Sequence, residues 1–211
     1  MSKLKTQQAI KVWDIFIRVF HWSLVILFTL AYLTGEEETS WHAYFGYAIG
    51  ILLVLRIIWG FIGTRYARFS TFIYSPSTVI AYLKSLLSGK PKHYLGHNPA
   101  GAYMVFALLF MLSMTTFSGL KAYAAEGYGP LAFNMDVTLI AVALADDDDD
   151  EKAWGKEGKE DEFWKEIHEF TANLTLFLVF MHILGVIVSS SLHKENLVRA
   201  MISGKKYQQN D

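Results

Sequence analysis

The 211-residue chain contains no cysteine. That absence removes disulfides, iron–sulfur clusters, thiolate metal sites and the CxxCH motif through which haem is attached covalently. Proline is scarce, at four residues, and only 18% of the chain is charged, so long apolar runs pass without interruption. Asp and Glu are almost missing from those runs, which argues against zinc or iron transport through them, since buried cation paths normally recruit carboxylates. The period-2 alternation of a membrane β-barrel is also missing. No internal repeat is visible, and no A-x-A-type site follows the first apolar run, so its cleavage as a signal peptide is not expected.

What the chain has instead is hydrocarbon: 53% of residues are hydrophobic and 15% aromatic. A bilayer-spanning helix needs about 20 apolar residues, and four segments meet that length, at about 15–34, 42–62, 100–119 and 167–190. In lipid, only helices or closed barrels satisfy the backbone. The expectation is therefore an all-α membrane protein, one four-transmembrane-helix bundle covering 1–211 as a single domain, with short interfacial helices. Spans 1 and 2 are joined by "EEETSWH", a connection so short that they must be antiparallel neighbours. Between spans 2 and 3, "SPSTVIAYLKSLLSGK" places Val79, Ile80, Leu83, Leu86 and Leu87 at helical spacing, with Ser75 as cap and Pro76 at the first position. This amphipathic segment is too short to cross and should lie on the inner surface. Pro99 opens span 3 and Gly119 closes it.

Charge sets the orientation. Lys3, Lys5, Lys11 and Arg18, the segment between spans 2 and 3, and Lys194, Arg199, Lys205 and Lys206 are basic, whereas the other connections hold "EEE" at 36–38 and "DDDDDE" at 146–151. By the positive-inside rule both termini are cytoplasmic. The basic residues thus mark topology, and no nucleic-acid partner is expected. The external loop, about 120–166, carries a largely apolar nine-residue stretch at 137–145, too short to cross, which should form a short helix on the membrane or on a partner. The acidic run beside it reads first as a solvated turn, and second as a docking site for a basic partner or a weak cation-binding site.

Seven histidines are present. His93, His97 and His193 fall in or beside cytoplasmic segments, where an interfacial imidazole needs no explanation. His21, His42, His168 and His182 fall within spans or at their edges. Fourteen residues of helix advance about 21 Å and return the side chain to within about 40°, so His168 and His182 share one face near opposite sides of the hydrocarbon. Depth then pairs the rest. His42 opens span 2 level with His168, forming an outer pair. His21 lies about 20 Å below the outer end of span 1, level with His182, forming an inner pair. A lone membrane histidine is usually an interhelical hydrogen bond; two depth-matched pairs are the axial ligands of two non-covalent b-type haems. Gly46 and Gly50 on span 2 would leave room for a macrocycle. Arg56, fourteen residues after His42, reaches the inner depth, where it would pair with haem propionates or snorkel to the surface. With both axial positions filled, no catalytic residue is expected at the iron.

These residues resemble the prokaryotic cytochrome b561 family, related to the b-type subunits of nickel–iron hydrogenases and formate dehydrogenases. The resemblance is carried by "WDIFIRVFHW", "WHAYFGYAIGILLVLRIIWGFIGTRYARFS", "YLGHNPAGAYM" and "IHEFTANLTLFLVFMHILGVIVSSSLHKENLVRAMISGKK". It implies a dihaem protein of the bacterial cytoplasmic membrane with ligands at His21, His42, His168 and His182. Such proteins carry electrons between the quinone pool and a redox partner. A periplasmic c-type cytochrome is the first expectation for that partner; a hydrogenase or dehydrogenase anchored by this chain is the second. A stand-alone quinone-linked superoxide oxidase is the third.

Overall fold

The computed structural model describes residues 9–35, 40–89, 91–132 and 150–207, the stretch 150–161 by its backbone alone. The expected helix at 137–145 and the acidic residues 36–38 and 146–149 lie outside the described residues. In chain order the elements are strand β1 (Ala9–Lys11), α1 (Ile15–Leu33), α2 (Ser40–Ile62), a 3-10 turn (Phe69–Thr71), α3 (Pro76–Leu87), α4 (Pro99–Ala125), α5 (Asp150–His193), α6 (Leu197–Ser203) and strand β2 (Lys205–Tyr207).

Four helical stretches are long and apolar enough to cross a membrane: Ile15–Leu33, Ser40–Ile62, Pro99–Ala125 and Glu162–His193. Their surfaces expose large apolar side chains, among them Phe61, Phe110 and Phe180 at 70%, 63% and 56%, which water would not tolerate and lipid would cover. The chain is a multi-pass membrane protein. Span 3 runs past Gly119 to Ala125, and span 4 is the second part of a 44-residue helix.

Local capping explains where helices start. Asp14 Oδ1 accepts from the Ile17 N–H at 2.9 Å, and Asn98 Oδ1 accepts from Gly101 N–H at 2.7 Å beside Pro99. The Ser75 cap forms as its sequence suggests, accepting from Thr78 N–H at 3.3 Å with Pro76 behind it. On α3, Val79 and Tyr82 are buried while Ile80, Leu83 and Leu87 are exposed, so an apolar stripe is left outward. At Gly204 the backbone is left-handed, with φ 78°, and a Cβ would come within 2.6 Å of the Trp13 carbonyl. Only glycine fits there. Its own carbonyl accepts from Val12 and Trp13 N–H at 2.9 and 3.1 Å.

The chain divides into two compact units. One, holding both termini, comprises residues 1–26, 52–108 and 178–211; the other, holding the long loop, comprises 27–51 and 109–177. In the termini-bearing unit, Val12, Trp13, Ile17, Ala67 and Ala200 form a buried cluster walled by Phe16, Trp59 and Met201. Two strands that sequence patterning did not suggest pair antiparallel there, Ala9 against Tyr207 and Lys11 against Lys205. The segments before the first span and after the fourth are therefore on one side, as an even number of crossings requires. In the loop-bearing unit, polar contacts join apolar helices: Tyr32 Oη donates to Asn173 Oδ1 at 3.1 Å, and the Thr115 and Thr175 hydroxyls meet at 3.1 Å.

Candidate functional site: two facing histidine pairs

In the loop-bearing unit His42 sits in the first turn of α2 and His168 on α5. Their ring centres are 5.8 Å apart, with the planes at 82°. Each ring is held by one backbone carbonyl. Nδ1 of His42 lies 2.9 Å from the Ala31 oxygen, and Nδ1 of His168 lies 2.9 Å from the Thr115 oxygen. A carbonyl only accepts, so in both rings Nδ1 carries the proton and Nε2 keeps its lone pair. That second hydrogen bond is the usual orienting partner of a metal-ligating histidine.

The His168 ring lies directly on the backbone of α4. A Cβ at Gly119 would meet its Cε1 at 2.8 Å and Nδ1 at 3.0 Å. Gly119 is thus a cradle for the imidazole rather than the end of a span. Around it Ser118, Thr171 and Thr175 are buried, and Ser118 Oγ approaches His168 Nδ1 at 3.4 Å and Thr171 Oγ1 at 3.3 Å. Of the two glycines expected to make room for a macrocycle, Gly46 has nothing within 4 Å of a built Cβ, whereas Gly50 stands 3.2 Å from the Thr116 methyl. Gly46 leaves space; Gly50 sets the close approach of α2 to α4.

In the termini-bearing unit His21 of α1 faces His182 of α5, ring centres 6.4 Å apart at 53°. Here the orienting carbonyl is absent for His21: its Nδ1 is buried with no hydrogen-bond partner among the described residues. The surroundings are cationic and aromatic. Arg56 is 3% exposed, so it does not snorkel. Its Nη2 donates to the Ala67 carbonyl at 3.2 Å, its guanidinium lies 4.9 Å over the Phe69 ring, and its Nη1 is buried without a partner among the described residues. Asp14, the acid on the neighbouring helix start, is taken up otherwise. It accepts from Ile17 N–H, from Trp59 Nε1 at 3.1 Å and from Thr64 Oγ1. Burial alone would raise its carboxyl, but the hydrogen bonds from Thr64, Ile17 and Trp59 hold it below the usual carboxylate range.

His97 needs an explanation that its place in the sequence did not suggest. It is wedged between Trp13 and Phe72, ring centres at 4.7 and 4.4 Å. Its Nδ1 is buried and unpartnered among the described residues. Burial first, then repulsion from Arg56, Lys206 and His182, pushes its pKa down to about 3, so the ring is neutral and has one N–H to give. His93, by contrast, reaches Glu195 Oε1 at 2.7 Å through Nε2 and packs against His193.

All four span histidines are therefore brought together in the expected pairs. Imidazole nitrogens bind transition metals at about 2.0 Å, so two rings on opposite sides of one metal hold their centres about 6 Å apart. Both pairs fit that separation. A tetrahedral metal would need about four protein donors, and among the described residues no three of His, Cys, Asp or Glu are grouped as such a cage. Donors in facing twos, between apolar helices, suit a metal whose remaining positions are filled by a flat ring.

Such a fold and donor set define a membrane protein of the b-type cytochrome class. The chain belongs to the prokaryotic cytochrome b561 family, whose model matches residues 12–204. It is similar to a probable Ni/Fe-hydrogenase B-type cytochrome subunit of Azotobacter vinelandii, 23% identical over 96% of this chain and 90% of that one. Proteins of the same description from Rhizobium leguminosarum bv. viciae (22%, 97% and 92%) and Cupriavidus necator (23%, 95% and 88%) are similarly related. No solved structure matches. The protein is thus a membrane cytochrome b that carries electrons, and haem b is the cofactor its family implies.

Proposed function

We propose that the chain is one dihaem domain, holding two haem b groups through His42–His168 on the outer side and His21–His182 on the inner side. It passes electrons between the quinone pool and a redox partner at the periplasmic face of the bacterial inner membrane, with both termini cytoplasmic. The observation that carries this reading is the pair of facing imidazoles in each unit, at 5.8 and 6.4 Å. When bound, each haem supplies the one-electron chemistry that a two-electron quinol can use in steps.

The chain's own residues do the rest. The Ala31 and Thr115 carbonyls fix the outer imidazoles in the tautomer that leaves Nε2 free. Two imidazoles per metal leave no open position, so oxygen and small substrates are kept from the iron. Arg56 lies ready for a propionate carboxylate, and the apolar walls exclude water. A pyridine haemochrome assay combined with redox titration tests the reading. Two non-covalent b haems per chain with two midpoint potentials are expected; one haem per chain, or a covalent c-type spectrum, overturns it.

For the partner, the names of the relatives favour a nickel–iron hydrogenase over a c-type cytochrome, making this chain a membrane-anchor subunit. Gentle solubilisation decides between them. Reduction of the haems by hydrogen in a co-purifying complex supports the hydrogenase. Haem oxidation by added ferric cytochrome c, with no such complex, supports the cytochrome.

A further inference from the structure

The termini-bearing unit contains buried donors that no described residue satisfies. Arg56 Nη1 and His97 Nδ1 come from α2 and from the segment ahead of α4, and both are enclosed without a partner among the described residues. An orphaned buried donor costs about 1–3 kcal/mol and a charged one more, so two in one neighbourhood point to a missing acceptor. They share one aromatic layer: Arg56 lies over Phe69, Phe69 packs on Phe72 at 6.0 Å, and Phe72 packs on His97 at 4.4 Å. Asp14 is already saturated by three donors, and Arg56 forms no ion pair among the described residues. Among the described residues, a cation and a neutral N–H meet at this place with no free carboxylate beside them.

Resting on the dihaem reading above, we propose that His97 is a second anchor for the inner haem, donating its Nδ1–H to the propionate carboxylate that Arg56 also holds. The ring is built for a fixed direction. Trp13 and Phe72 clamp its faces, and Tyr74 Oη donates to the His97 backbone carbonyl at 3.0 Å, holding the segment that carries it. Asn98 next to it caps α4, so the loop has little freedom to turn the imidazole away. A carboxylate is the acceptor that suits both donors at once, because it offers two oxygens and neutralises the guanidinium. His97 is therefore a positioning residue of the cofactor, with no part in ligating iron.

The experiment uses the purified holoprotein and three variants, His97→Leu, His97→Gln and Arg56→Gln. Midpoint potentials are read by spectroelectrochemical titration, and the propionate-bending band of each haem by resonance Raman. Loss of a donor leaves more negative charge on the propionate and favours ferric iron. His97→Leu should lower the inner potential, shift the inner propionate band, leave the outer haem unchanged and speed inner-haem loss by about tenfold. His97→Gln keeps an N–H donor and should recover most of the potential and the band position. Two haems per chain with His97→Leu matching wild type in both readouts overturns the inference while leaving the dihaem reading intact. One haem per chain in the wild type overturns that reading itself. If His97→Leu fails to fold, a fourth variant, His97→Phe, decides: an inner propionate band and inner potential both matching wild type overturn the inference, and a shift confined to the inner haem supports it.

Discussion

The two histidine pairs set the same side chains in opposite surroundings. His42 and His168 each lean on a neutral carbonyl and lie among buried hydroxyls, whereas His21 and His182 share their unit with a buried guanidinium and a clamped imidazole. Carbonyl support makes an imidazole a stronger electron donor and stabilises ferric iron; a nearby cation stabilises the less positive ferrous state. Both differences act in one direction, so the outer haem should have the lower midpoint potential. Ligand type alone would have made the two sites equal.

The largest effects come from removing ligands. His42→Ala and His168→Ala should each abolish the same outer haem, and His21→Ala and His182→Ala the same inner one, each leaving the other haem's spectrum in place. Titrating the single-haem proteins that remain gives each potential by itself. If His21 and His168 variants lose the same component, the pairing is wrong; if the surviving outer haem titrates above the inner, the comparison of environments is wrong.

Gly119→Val should come next. Its Cβ would overlap a ring pinned by a hydrogen bond, and overpacking of this kind costs about 1–3 kcal/mol. Outer-haem occupancy should fall by about tenfold or more while the inner haem stays, as read by haemochrome content and difference spectra. Equal loss of both haems would mean a general packing defect.

These effects show unevenly in the linear sequence. The spans, the Ser75 cap and the pairing of the four span histidines were legible because apolar length and a fourteen-residue interval are one-dimensional signals. Gly119 was misread as a helix end, since only the ring of a residue far along the chain reveals why a side chain is excluded there. His97 looked like an ordinary interfacial histidine for a similar reason: Trp13 and Phe72, which enclose it, belong to other segments. The three-residue strands carry no periodicity to read. The apolar run marked span 4 from about 167, whereas its helix continues back through the charged stretch to Asp150, where hydropathy gives no signal for a helix start.

A smaller, pH-dependent contrast concerns the termini-bearing unit. Asp14→Ala removes a helix cap and two cross-segment hydrogen bonds and should cost about 1–2 kcal/mol at neutral pH. The folded-state carboxyl is held below the ordinary aspartate value of 3.8, so its stabilisation is present above that pH and is lost as pH falls through the folded value. Thermal melts of wild type and Asp14→Ala, followed at each haem, should therefore differ at pH 6 and converge toward pH 3. The gap should be wider for inner-haem release than for outer. A gap that grows on acidification would contradict the sign.

Arg56→Gln gives the smallest change, a downward shift confined to the inner potential. An unchanged titration would mean that the guanidinium serves only the Ala67 carbonyl and the Phe69 face.

The pairing of β1 with β2 bears on how the molecule is made. Ala9 leaves the ribosome long before its partner Tyr207, with every span threaded into the bilayer in between. Until residues 204–207 have emerged, β1 and the Val12–Trp13 segment lack the partners they hold in the fold. Loop-closure entropy grows only slowly with the length enclosed, so this contact can close after all four spans at modest cost. The termini-bearing unit is thus completed only once residues 205–207 have emerged, so a change that breaks the β1–β2 pairing should delay haem capture at the His21–His182 pair.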